Sequence, residues 1–382
     1  MPQSKLFQPL AIAGTTLRNR IVISPMCQYA AVDGVVQDWH LVHLGRFALG
    51  GAGAVFVEAT GVTPEGRISH GDVGLWNDEQ ARALARVADF LRAHGAAPAI
   101  QIAHAGRKGS TQRPWHGGGP VGPEDERARG EGPWTPVAPS AVPFKDDWIV
   151  PHALSTAEIG ALLIAWREAA RRALDAGFEI LEVHAAHGYL LNEFLSPLAN
   201  FRDDAYGGDL AGRMRFPLEV VETVRAVWPA SRPLFVRISA VDGPAEGWSL
   251  DDSVAFAREL KARGVDVVDC SSGGVAPTPP PVSGPGYQVP YAERVRKEAG
   301  IMTMAVGAIT EPRQAEAIVA EGKADLVAVA RQALADPSWP VRCQHVLEGD
   351  GADYHPWTGQ TSFWLNVREQ GLQRMGVSER DR

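Results

Sequence analysis

Apolar residues along this chain fall into short runs, and the stretches between them carry apolar positions at helical spacing. The runs lie at 20–27 (RIVISPMC), 54–62, 98–104, 179–185, 234–240, 265–270, 301–306 and 325–330. Helices are expected at 40–49, 78–94, 155–177, 213–228, 249–263 and 311–321. The second shows the stripe Ala81, Leu84, Val87, Leu91 behind a cap at Asn77, and the third opens on the capping box Ser155-x-x-Glu158. None of the runs alternates strongly, so each reads as a parallel strand buried on both faces. Eight such strands close a (β/α)8 TIM barrel; an open doubly wound sheet is the alternative. That alternative expects a glycine-rich first turn, whereas here the turn is SPMCQY, and Gly50-Gly-Ala-Gly53 precedes a strand, where it reads as a helix C-cap. The barrel is preferred, as one domain over 1–382 with its core at 20–348 and a C-terminal tail at 349–382. The Gly-, Pro- and Trp-rich stretch 105–151 is expected to be a long lid loop after the third strand.

Composition narrows the partners more than the fold. A net charge of −8 argues against nucleic acid or an anionic membrane, which would call for a basic face. The N-terminus does not read as a signal peptide, and no run approaches the ~18 apolar residues of a membrane span. Three cysteines, Cys27, Cys270 and Cys343, are too few and too scattered for a disulfide framework or a cysteine-rich metal site. A reducing cytoplasm is the expected location.

In a barrel of this type the chemistry sits at the C-terminal ends of the strands. Those ends offer Cys27 and Tyr29, then Glu58 and Thr60, Gln101 and His104, His184-x-x-His187-x-Tyr189, Arg237, Cys270-Ser-Ser-Gly-Gly, Gly307 and Arg331. Each has a plainer reading. Cys27 reads equally as a small core residue, His184 and His187 as metal ligands lacking an evident third partner, and Tyr189 as a loop aromatic. His40 and His43 read as structural. Arg237, between Val236 and Ile238, is an expensive burial without an anionic partner. Glycines after the sixth and seventh strands with Arg331 after the eighth suit a phosphate. Gln101 and Arg237 suit the polar edge of a planar heterocycle that becomes anionic. A flavin mononucleotide meets both descriptions.

Several stretches then match one family in order: NRIVISPMCQY (19–29), WHLVHLGRFA (39–48), QIAHAGRK (101–108), EVHAAHGYLLNEFLSP (182–197), DAYGG (204–208), RIS (237–239), AVG (305–307) and Ala330-Arg331. The chain resembles the Old Yellow Enzyme family of FMN-dependent ene-reductases, in particular the bacterial xenobiotic-reductase-like branch with a cysteine beside the flavin. The resemblance implies a barrel closed at its bottom by a hairpin at 7–20 and non-covalent FMN. Pro25, Met26, Cys27, Ala59, Gln101 and Arg237 would hold the ring, with Gly307, Ala330 and Arg331 at the phosphate end. His184 and His187 would grip a carbonyl or nitro oxygen, Tyr189 would donate the proton, and Tyr29 would touch substrate. It further implies NADPH as a transient reductant, enone or nitro substrates, and a homo-oligomer, dimer or tetramer, with Trp364 the candidate to reach a neighbouring active site. Two positions depart from relatives: Val306 where some carry Trp, implying a wider pocket, and Gly212 where others carry Asn.

The chemistry agrees with that reading. NADPH that stacks transiently over the flavin needs no dinucleotide fold of its own. The rival readings are a metal-dependent barrel hydrolase, a flavin-barrel tRNA reductase and a flavin-binding protein without turnover. Bound zinc, a basic face, and FMN that NADPH leaves oxidised would respectively mark them.

Overall fold

A computed structural model describes residues 4–278, 283–348, 354 and 357–377. Chain order begins with the antiparallel hairpin β1 (Leu10–Ile12) and β2 (Thr15–Leu17). The barrel strands follow as β3 (Ile21–Ile23), β4 (Ala54–Gly61) and β5 (Ala97–Ala103). After the short pair β6 (Val137–Ala138) and β7 (His152–Ala153) come β8 (Ile180–Ala185), β9 (Leu234–Ser239), β10 (Val267–Ser271), β11 (Met302–Ala305) and β12 (Leu326–Val329). Strands β3, β4, β5, β8, β9, β10, β11 and β12 form a closed barrel in that order, every neighbouring pair parallel. The expected (β/α)8 barrel and its hairpin are both present.

The outer helices are α1 (Asp38–Leu49), α2 (Asp78–Ala93), α3 (Pro123–Arg129), α4 (Thr156–Asp175), α5 (Leu190–Leu195), α6 (Leu210–Arg225), α7 (Leu250–Ala262), α8 (Val289–Ala299), α9 (Pro312–Ala320), α10 (Arg331–Ala335), α11 (Trp339–Glu348) and α12 (Gly359–Arg374). Their starts are written locally. Asn77 accepts from the Gln80 amide at 3.0 Å and Gln80 returns the contact, as Ser155 does with Glu158 and Ser249 with Asp252. Gly212 has a steric reason: a Cβ there would lie 2.0 Å from the Gly207 carbonyl oxygen.

Two apolar clusters divide the interior. One lies between barrel and helices and includes Ile21, Val55, Ile100, Leu181, Val236 and Val268. The other fills the lower barrel, where Ile12 and Leu17 of the hairpin meet Val22, Phe56, Phe235, Met304 and Leu326. Adjacent strand residues thus face opposite clusters, as the pleat requires.

Three expectations need correction. The first strand stops at Ile23 rather than residue 27, and the chain through Pro25, Met26 and Cys27 runs without ladder pairing. The 105–151 stretch is no featureless loop: it contains α3 and β6, and β6 pairs with β7 just beyond it. The expected helices omit α8, which lies between β10 and β11. Of the tail expected at 349–382, only residue 354 and residues 357–377 fall within the description, and the latter contain α12.

Candidate active site

Strand β8 ends in a turn that the backbone enforces. His187 has φ +62° and Gly188 φ +70°, which carries the chain from strand into α5. At Gly188 a Cβ would sit 2.1 Å from the Gly274 carbonyl oxygen, so only glycine fits. His187 tolerates a left-handed conformation because it is held from three sides. Its N–H donates to Ser239 Oγ at 2.8 Å, its carbonyl accepts from Lys108 Nζ at 2.8 Å, and its Nε2 shares a 2.6 Å hydrogen bond with Ser271 Oγ. Lys108 also donates to the Gly274 carbonyl at 3.1 Å and lies 5.1 Å from the centre of the Tyr189 ring.

His184 is buried, and its Nδ1 accepts the Ala186 N–H at 3.2 Å, which leaves Nε2 as its donor. Burial, then the charges of Arg237 and Lys108, hold its imidazole well below the usual histidine range; His187 is lowered in the same way. Burial pushes the Tyr189 phenol well above its ordinary value. The three rings form one group, with His184 to His187 centroids 5.1 Å apart and His184 to Tyr189 5.0 Å, both edge to face. At neutral pH the group is an uncharged set of donors.

A second group lies past β3. Burial, with Asp72 and Glu58 nearby, raises the Cys27 thiol well above its usual value, and the Ala59 N–H lies against its sulfur. Cys27 is therefore a thiol rather than a thiolate. Tyr29, at φ +53°, is pinned through its carbonyl by Arg113 Nε at 3.1 Å, and its ring meets Trp115 edge-on at 5.8 Å. Burial raises its phenol as well.

The third part is a cavity of about 610 Å³ lined by His187, Arg237, Gln288, Gly307, Ala330 and Arg331, among others. Val306 lines it too. Gly307 has φ +115°, and a Cβ there would come within 3.0 Å of Gln288 Nε2 and the Tyr287 ring. A bare backbone and an exposed Arg331 at one end, with the Arg237 guanidinium at the other, fit the phosphate and ring of FMN. Gln101 sits beneath this region and donates to Glu182 Oε1 at 2.8 Å. The protein itself supplies an anion for the buried Arg237: its Nε lies 3.2 Å from Asp269 Oδ2.

The structure therefore gathers His184, His187 and Tyr189 into one group, Cys27 and Ala59 into another, and Arg237, Gly307, Ala330 and Arg331 around the cavity. Pro25 and Met26 are half-buried beside Cys27. Trp364 is different: it lies on α12, 67% exposed, edge-on to Phe363, and is not among the cavity residues. Sequence reasoning gave no role to Lys108, Glu182, Asp269 or Ser271. Strand parity offered a signal, since Glu182 is two residues before His184 and Ser271 two after Asp269 on the same strand face.

A family model described as NADH:flavin oxidoreductase / NADH oxidase matches residues 5–350. The chain belongs to that family. It is 47% identical over 337 residues to the NADPH dehydrogenase of Geobacillus thermodenitrificans, covering 88% of this chain and 92% of the relative. Among solved structures it resembles morphinone reductase, with a TM-score of 0.74, 28% identity and 90% of each chain covered. It also resembles a 2-naphthoyl-CoA reductase, with a TM-score of 0.80 and 26% identity over 92% of this chain, which spans 53% of that longer one. The family member described here is an Old Yellow Enzyme-type oxidoreductase with FMN as cofactor and a reduced nicotinamide as electron donor. Among the described residues no helix is long and apolar enough to cross a membrane.

Proposed function

We propose that this protein is an NADPH-dependent ene-reductase that reduces the C=C bond of α,β-unsaturated carbonyl compounds, and nitro compounds or nitroesters of similar shape. The observation that carries the reading is the neutral His184–Tyr189 pair, 5.0 Å between rings, beside the cavity that holds Arg237. FMN, when bound, supplies the hydride that the substrate receives at Cβ. His184 donates from Nε2 to the substrate oxygen, where negative charge develops, and His187, with Nε2 committed to Ser271, offers Nδ1. Tyr189, kept protonated by burial, delivers a proton to Cα. Tyr29 contacts the substrate. Pro25, Met26, Cys27, Ala59, Gln101 and Arg237 hold the ring, and Gly307, Ala330 and Arg331 the phosphate end. The neutral Cys27 donates weakly to the flavin edge rather than attacking substrate.

The chain acts as one domain and as a cytoplasmic homo-oligomer in which exposed Trp364 reaches a neighbouring subunit's active site. The main test is spectroscopic. The purified yellow protein bleaches on anaerobic addition of NADPH and recovers its colour on addition of an enone such as cyclohexenone. Bleaching that no enone, nitroester or quinone reverses would overturn the ene-reductase reading.

A further inference from the structure

Behind the guanidinium assigned to the flavin lie two acids for which the proposed function has no task. Glu182 and Asp269 are both fully buried. Ladder register puts Gln101 beside Glu182 and Asp269 beside Arg237, which in turn lies beside His184. Asp269 Oδ2 approaches Arg237 Nε at 3.2 Å, too obliquely for a hydrogen bond, and neither of its carboxyl oxygens has a hydrogen-bond partner. Glu182 Oε1 accepts from Gln101, whereas Oε2 has no partner. Two full negative charges in this dry layer would face one guanidinium and one amide donor, an arrangement a protein interior does not tolerate. Two buried carboxyls that share one cation relieve the conflict when one of them keeps a proton. The partners decide which one keeps it. Asp269 faces a cation directly, whereas Glu182 faces a neutral amide and feels Asp269 as a like charge. Burial raises both acids and Arg237 draws both back down, with Gln101 helping at Glu182, but only Glu182 is pushed further up by its neighbour, Asp269.

We propose that Glu182 carries the proton and Asp269 the charge, so that Asp269 offsets Arg237 and holds down the reduction potential of the bound flavin. Asp269 is thus a positioning residue, acting through Arg237 rather than touching the ring. An unopposed guanidinium would stabilise the reduced, anionic ring and make it a poorer hydride donor to substrate. With Asp269 behind it, Arg237 still binds the ring but favours the reduced form less. The inference rests on the reading that Arg237 faces the isoalloxazine.

The experiment measures the midpoint potential of FMN bound to the full-length holoprotein by anaerobic dye equilibration. Asp269→Asn keeps the shape and removes the charge, and it raises the potential by at least the equivalent of a tenfold change in the oxidised-to-reduced ratio, about 30 mV for two electrons. Glu182→Gln replaces a protonated acid by a neutral isostere and moves the potential by less than that. Either an unmoved potential in Asp269→Asn with full FMN content, or an equal shift in Glu182→Gln, overturns the proposal. Arg237→Met separates the two layers of argument. A potential moved by Arg237→Met but not by Asp269→Asn sinks this inference alone, whereas a potential moved by neither sinks the placement of Arg237 at the ring. If Asp269→Asn fails to fold, the infrared carboxylic-acid C=O band decides. Glu58 and Glu193 also absorb there and are common to both proteins, so the wild-type minus Glu182→Gln difference spectrum is read. It carries one carboxylic-acid C=O band, and its absence from the difference refutes the proposal.

Discussion

The lower and upper halves of the barrel interior are filled from the same columns of side chains but by opposite chemistry. At the bottom the inward positions are Val22, Phe56, Phe235, Met304 and Leu326, sealed by Ile12 and Leu17 of the hairpin. Two residues further along their strands the columns carry Gln101 above Ala99, Glu182 above Ile180, Arg237 above Phe235 and Asp269 above Val267. Another step up brings His184, Ser239 and Ser271, which hold the catalytic turn. The apolar floor keeps water out and fixes the strands, and the polar layer above it inherits a low dielectric in which each charge counts for more. Stability resides in the floor, and chemistry in the layers that the floor makes costly.

That division can be broken from either side. Among the tests of the division, Tyr189→Phe gives the largest effect, slowing enone-driven reoxidation by ~10²–10⁴-fold while NADPH-driven bleaching and thermal stability stay near wild type. Stopped-flow traces of the two half-reactions check it; an unchanged reoxidation rate would hand the acid role to Tyr29. His184→Ala loses ~10²–10³-fold and, unlike Tyr189→Phe, also weakens phenol ligands that mimic the enolate, as read by flavin absorbance titration. The floor should answer in the opposite sense. Phe235→Ala lowers unfolding free energy by ~3–5 kcal/mol in denaturant melts, with turnover per folded, FMN-loaded molecule little changed.

A smaller effect is pH-dependent. Burial pushes Glu58 up to about 8, and Glu193 likewise. A carboxyl raised in the folded state contributes stability that is full below about 4.5 and lost as pH rises through about 8. Stability therefore declines across pH 5–8, and Glu58→Gln flattens that decline by roughly 2–4 kcal/mol. A slope unaltered in Glu58→Gln would place the burial cost elsewhere. Smallest is Cys27→Ala, which shifts the flavin potential and alters each half-reaction by less than about tenfold. A trapped thiol adduct in the wild type, together with dead Cys27→Ala, would contradict its role as a neutral donor.

What was legible in the sequence divides along a similar line. Helix starts were readable where a cap is local, as at Asn77, Ser155 and Ser249. Helix α8 starts without a side-chain cap, and α3 lies in a stretch whose glycines and prolines mask its Pro123 and acidic first turn. The histidines and Tyr189 stood out because they end a strand. Glu182 and Asp269 did not, because a strand buried on both faces hides its inward column. Only the ladder between β9 and β10 puts Asp269 against Arg237.

The turn at His187–Gly188 and the loop after β10 are locked together: Gly188 touches the Gly274 carbonyl, Gly274 has room only for hydrogen against His187, and Lys108 ties both carbonyls. Anyone recutting this pocket by loop exchange would have to move these three chain segments as one cassette. A graft of the histidine turn alone would leave behind the Gly274 backbone that Gly188 packs against and the Lys108 tie. The segment around Trp115, whose side chain is 63% exposed, is tied to Tyr29 through Arg113 and the Trp115 ring but not to the histidine turn, and is the place where size selectivity can be rewritten first.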